Sequence, residues 1–245
     1  MTRWLGWLAL AGAVLGWYQF LTPPAPSEVP DGAYRDTRHG FALVRPAGWQ
    51  LAATETCDRA LFMQACVVAD LTRDGGSTGA TTVVQVAQSP LTVRVSEGTK
   101  AELAKAAAEA WARNMDSFGV VSEEIVTIDG LEALKVVGRG VKRVPFPVWQ
   151  QTGRAVAWAH PEYDLTVGTV VVPSGQSVYL LSFGVETSQR AEHEPAIQGV
   201  VDSFRLLERP SPFRLHGGLG GSLTSDLIVC ALVGLSLGAV KLLRA

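Results

Sequence analysis

The chain has 245 residues, of which 18% are charged, and a formal net charge of −2. Once an apolar segment at each end is set aside, the length is that of one ordinary domain, large enough to hold a core without metal or disulfide help. The charge balance excludes binding to nucleic acid by basic excess.

Residues 4–21 (WLGWLALAGAVLGWYQFL) carry no charge and follow Arg3. That is long enough for a spanning helix. Trp4 and Trp7 stand at one end and Trp17 and Tyr18 at the other, as two headgroup layers favour. A cleaved signal peptide is the competing reading, but Phe20-Leu21-Thr22-Pro23-Pro24 lacks the small residues of a cleavage site. Residues 1–21 are therefore expected to be a transmembrane helix or uncleaved signal anchor, and the Pro-rich residues 22–35 a stiff spacer. The globular domain is expected over residues 36–209.

Within it, residues 41–44 form a short apolar run, followed by a turn at Arg45-Pro46-Ala47-Gly48 and Trp49. Cys57 and Cys66 flank DRALFMQA. They either fold back into a disulfide, as an oxidising compartment permits, or remain two separate buried thiols. Residues 61–71, which carry CVVADL, 81–88 (TTVVQVAQ) and 91–95 read as strands. Residues 99–118 read as a helix. Thr99 and Glu102 offer a capping box, and Leu103, Ala107, Ala110, Trp111, Met115 and Phe118 recur on one face. Gly119 follows as its expected cap. Asp129-Gly130 between residues 121–128 and 131–138 predicts a hairpin. Strands are expected at 153–159, 165–172 and 177–185, with a turn at Ser174-Gly175. A last helix is expected over 194–204, with Pro195 in its first turn and Ala196, Val200, Val201 and Phe204 inward.

After the domain, residues 210–222 are a Gly-rich linker, and 223–245 are expected to form a second transmembrane helix. Its apolar core, 227–243, includes Cys230, which reads as a small apolar residue there. Lys241 and Arg244 lie at its far end and Arg3 lies before the first segment, so both termini are expected in the cytoplasm and the domain across the membrane. A sorting signal cut by a membrane protease is an alternative for this tail.

Six to eight mostly antiparallel strands and two helices make an α+β domain, with helices packed on a sheet. Gly40-Phe41-Ala42-Leu43-Val44 leading into Pro46-Ala47-Gly48-Trp49 resembles the opening of PsbP-like domains. Residues 126–133 (VTIDGLEA) and the closing Val200-Val201-Asp202-Ser203-Phe204 match that family in order, over roughly residues 39–207. The resemblance implies an antiparallel sheet flanked by helices in a bacterial, membrane-anchored member. Proteins of this family act mostly in binding or assembly, as photosystem subunits, a partner of a small GTPase and envelope lipoproteins. They share no catalytic residues, so none is carried over. The C-terminal membrane segment departs from the family pattern.

Chemistry-bearing motifs are sparse. None of His39, His160, His193 and His216 stands at H-E-x-x-H spacing, and Gly-x-Ser-x-Gly, phosphate-loop and dinucleotide fingerprints are absent. Glu192-His193-Glu194 reads better as a solvated helix start than as a metal site. No metal, cofactor or catalytic residue is expected. Lys142-Arg143 ahead of Val144-Pro145-Phe146-Pro147-Val148-Trp149 is the strongest candidate surface: a loop offering Phe146 and Trp149 beside Lys142 and Arg143 to a partner or headgroups. An edge strand with its aromatics tucked in is the plainer alternative. The sequence thus points to a non-enzymatic, membrane-tethered interaction module on the extracytoplasmic face, whose partners are the bilayer and a membrane or envelope protein. A small-molecule-binding domain or an enzyme's accessory subunit is the alternative.

Overall fold

The computed structural model describes residues 28–57, 62–73, 81–144, 146–149, 155–175 and 177–208. Both expected membrane segments and the Gly-rich linker lie outside the described residues. Among those described, no helix is long and apolar enough to cross a membrane.

The chain opens with two short strands, β1 (Tyr34–Asp36) and β2 (Phe41–Leu43), and continues through β3 (Gln50–Cys57), β4 (Cys66–Arg73) and β5 (Thr82–Ser89). Helix α1 (Glu97–Ala112) follows. Then come β6 (Ser117–Ile128), β7 (Leu131–Arg143), β8 (Phe146–Trp149), β9 (Ala155–Ala159), β10 (Glu162–Pro173) and β11 (Val178–Glu186). Helix α2 (Arg190–Ser203) and β12 (Arg205–Leu206) close the domain.

Seven strands form one antiparallel sheet in the order β3-β4-β5-β11-β10-β7-β6. β1, β2 and β12 make a small second sheet, and β8 pairs with β9 alone. The α+β architecture expected from the sequence, helices flanking an antiparallel sheet, is present. Helix α1 covers one face, where Ala104 and Ala107 meet Leu134, Val136, Val171 and Leu180. Helix α2 and the small sheet cover the other, around Phe41, Leu181, Val200, Val201 and Phe204. Phe41 stacks on Phe204 at 5.8 Å and meets Tyr179 edge-on at 6.0 Å. Each such fully buried aromatic contributes about 1.5–3 kcal/mol by removal from water.

The Asp129-Gly130 turn forms as expected, with Ile128 opposite Leu131 and both turn residues at positive φ. Asp129 does more than turn the chain. Its Oδ2 accepts the backbone N–H of Leu206 at 3.0 Å, tying the β6–β7 hairpin to the last strand.

Several expectations are corrected. The first helix runs over Glu97–Ala112, not 99–118, and its N-cap is Ser96, whose backbone N–H donates to Thr99 Oγ1 at 3.1 Å. Phe118 and Gly119 belong to β6, so Gly119 is no helix cap. Met115 and Phe118 satisfy the helical period, yet the sheet recruits the chain first: Asp116 N–H bonds to Val141 O at 2.9 Å. Residues 91–95 form no strand. The last helix begins at Arg190, after a 3-10 turn at Thr187–Gln189, which places Pro195 inside the helix rather than in its first turn. His193 is buried under that helix, 3% exposed, against Trp49 at 6.3 Å, and is not part of a solvated helix start.

Candidate functional site

Helix α2 leaves the end of β11 and crosses the sheet without covering its β7 and β6 side. The gap is a cleft of about 230 Å³ with Val137, Phe183 and Ile197 as its apolar floor and wall. Its rim is polar. Lys135 Nζ donates to Gln198 Oε1 at 3.1 Å and lies 3.7 Å from Glu124. Arg190 holds Glu194 at 2.8 Å, one helical turn on, and the guanidinium keeps that carboxyl below its usual range. Two cations and two carboxylates balance, and the cleft suits a small amphipathic molecule with a polar end at Lys135.

A second concentration of polar groups sits where β1 turns into β2. Asp36 accepts the backbone N–H of His39 at 2.9 Å through Oδ1 and meets His39 Nδ1 at 2.8 Å through Oδ2. Burial pushes the Asp36 carboxyl up, but the two bonds from His39 outweigh it and hold it below the ordinary value. An ionised carboxylate only accepts, so Nδ1 carries the imidazole proton. Tyr179 donates its hydroxyl to His39 O and accepts from Gln88 Nε2 at 3.2 Å. Burial pushes its phenol up to about 12. Asp36 and His39 close a turn and, with Arg38, Thr54 and Glu55, line a depression of about 390 Å³ that is larger than the cleft beside α2 but more open to solvent.

Cys57 and Cys66 stand directly opposite on β3 and β4, 4.2 Å apart at Cα, and form a disulfide.

Of the two arrangements expected for the candidate partner residues, a loop or an edge strand, the structure has a strand. Residues 146–149 form strand β8, with Phe146 opposite Ala159 and Trp149 opposite Ala155 on β9. This ribbon prolongs the β7–β10 ladder: Arg143 pairs with Glu162, Val144 N–H donates to Pro161 O at 3.2 Å, and the β8–β9 pairs follow. Pro147 is tolerated because a two-stranded ribbon has two free edges. Nor are Lys142 and Arg143 an equivalent pair of cations. Arg143 is held by Glu162 at 2.6 Å, and its backbone N–H bonds to Asp116 Oδ2 at 2.6 Å. Lys142 has no ion-pair partner among the described residues. The ribbon's paired residues are all apolar, and among the described elements β8 and β9 pack extensively only on each other.

No family model matches the sequence, and no curated protein matches it. Solved structures do. The cyanobacterial PsbP of Synechocystis sp. PCC 6803 is similar over 76% of this chain and 97% of its own, at 11% identity and a TM-score of 0.48. LpqN, involved in cell envelope biogenesis of Mycobacterium tuberculosis, is similar over 76% and 90%, at 14% identity and 0.42. The Ran-binding protein Mog1p of Saccharomyces cerevisiae is similar over 74% and 97%, at 13% identity and 0.42. PsbP and Mog1p are thus among the structures this chain is similar to. Likeness at this level is one of chain course and says nothing of what this chain binds.

Among the described residues no group of three or more His, Cys, Asp or Glu is placed to hold a metal ion. The cleft escaped sequence reasoning because Lys135 and Gln198 lie 63 residues apart and neither belongs to a motif. The Asp36–His39 contact left one local signal, an Asp three residues before a His at a Gly turn.

Proposed function

We propose that this chain is a membrane-tethered, extracytoplasmic interaction module that grips a membrane or envelope protein with the β8–β9 ribbon and performs no chemistry itself. One observation carries the reading: a two-stranded ribbon of apolar sequence that runs off the sheet and packs extensively on no other described element. An isolated hairpin is marginal in water, and a ribbon of apolar sequence is suited to pairing with a partner. The direction of the ribbon supports a protein partner over the anchoring bilayer. Leu206 pairs with Phe41, and Leu207 N–H bonds to Gly40 O at 2.9 Å, beside Tyr179 near the start of β11. The described chain therefore ends at the opposite end of β10 from the ribbon, some 40 Å away at the usual strand rise for its 12 residues. The Cys57–Cys66 disulfide is at home outside the cytoplasm.

The test is a photo-crosslinking side chain at Trp149 in the tagged, full-length protein, irradiated in cells. A discrete adduct with one membrane or envelope protein, not formed from Glu55 on β3, is expected. A chain retained in the membrane fraction with no adduct from Trp149 sinks the reading. The cleft beside α2 favours a second reading, a small-molecule-binding domain. In that case purified protein carries a bound compound that Lys135→Met and Arg190→Met release, as mass spectrometry of the extracted ligand shows.

A further inference from the structure

Four large aliphatic side chains are exposed among the described residues: Leu91, Val120, Val121 and Val144. Leu91 follows β5 at the far end of the sheet. Two of the others adjoin: Val120 and Val121 lie on the edge strand β6, whereas Val144 follows β7 six residues beyond Gly138, the partner of Val120, about 20 Å along the strand. Val121, 64% exposed, is the extra residue of a β-bulge, since Val120 stands opposite Gly138 and Ser122 opposite Val137. A bulge interrupts the edge ladder, so contact here is made by side chains and not by a continued sheet.

Charge flanks this patch on one face. Glu123 stands opposite Val136, whose side chain lies in the core under α1. Lys142 is six residues along β7 from Val136 and so shares that face. Along the strands, Glu123 is two residues to one side of Val121, and Lys142 is four residues beyond Gly138 to the other. Neither has an ion-pair partner among the described residues.

We infer that this edge is the interface between two copies of the chain, related by a two-fold axis beside Val120, midway between Glu123 and Lys142. A two-fold contact is self-complementary, so one apolar centre serves both copies. The same axis turns Lys142 of each copy toward Glu123 of the other, satisfying both charges twice over. An unlike partner would have to present the inverse of both charges around an apolar centre; a second copy already does. The same axis reverses the strand direction, so the two ribbons leave the dimer at opposite ends and stay clear of the interface. The inference goes beyond the ribbon's own contact and does not depend on it.

The test uses the full-length protein in nanodiscs, with Cys230→Ser to remove the membrane-segment thiol. Val121→Cys should oxidise to a covalent dimer, while Ala52→Cys on the opposite edge strand should not. Val121→Asp, at an exposed position that leaves the circular dichroism unchanged, should shift the mass measured by light scattering from dimer to monomer. Glu123→Lys should weaken the dimer at least tenfold, and Glu123→Lys with Lys142→Glu should restore it. A monomeric parent protein, a dimer that survives Val121→Asp, or equal crosslinking from Ala52→Cys overturns the inference. Crosslinks from Trp149, scored in the same preparations, separate its failure from that of the ribbon's role.

Discussion

Asp36 shows how one side chain can set the pH response of a turn. Its carboxylate accepts from both the backbone and the ring of His39, and those bonds hold it ionised below the ordinary aspartate range of about 4. A carboxyl whose folded pKa is depressed adds stability above its unfolded value, and that stability is lost as pH falls through the folded value. Asp36→Asn keeps the shape but discards the charge, so at pH 7 the variant should be about 1–3 kcal/mol less stable. Thermal melts at pH 7, 5 and 3 check this: the gap between parent and variant should hold from 7 to 5 and narrow by 3. A gap that is the same at every pH shows that the carboxylate is not what closes the turn.

Among the elements, the centre of the main sheet admits almost no added volume. Gly168 faces Phe183 across β10 and β11, and a Cβ there would lie 2.4 Å from the Phe183 ring and 2.9 Å from the carbonyl oxygen of Val136. The ring can swing, but the backbone carbonyl cannot. Gly168→Ala should therefore cost about 1–3 kcal/mol. Gly184→Ala should cost little, because a Cβ there meets Val167 Cγ1 at 3.7 Å, an ordinary contact. Urea unfolding of the two variants decides it, and equal losses would show that the crowding at Gly168 is relieved by the neighbours. The edge strand β3 is the opposite case. Most of its residues are exposed, and the Cys57–Cys66 disulfide staples its end to β4. Closing so short a loop is worth about 2–3 kcal/mol on chain-entropy grounds. Cys57→Ser with Cys66→Ser should lower stability by that amount, and reductant should move the parent protein's melting curve and leave the variant's where it is.

The same elements explain what could be read in advance. Asp129-Gly130 was legible because a two-residue turn needs both of its residues at positive φ, a demand written locally. The end of α1 was not, because Met115 and Phe118 continue the helix period, and the pairing of Phe118 with Gly140 on β7 that overrides it is not written locally. β3 was missed because an edge strand with exposed side chains, QLAATETC, has no alternation to show. His193 looked solvated in sequence, flanked by Glu192 and Glu194. Its burial follows from the side of α2 that meets Trp49, which only the tertiary arrangement sets.

At the scale of the whole molecule, the proposed gripping role makes the ribbon the part to remove. The β7–β10 ladder closes at Arg143 and Glu162 with an ion pair, where the ribbon begins. A ribbon that serves a partner should be dispensable to the core. Replacing residues 145–160 by Asn-Gly, a two-residue turn suited to joining antiparallel strands, should leave the melting temperature of the full-length protein within a few degrees of the parent. The shortened protein should nevertheless lose its membrane or envelope partner on affinity purification after crosslinking in cells. A large loss of stability would show that the ribbon is structural, packed against the body as part of the fold. Unchanged stability with the partner still bound would place the gripping surface elsewhere, with the cleft beside α2 next to be tested.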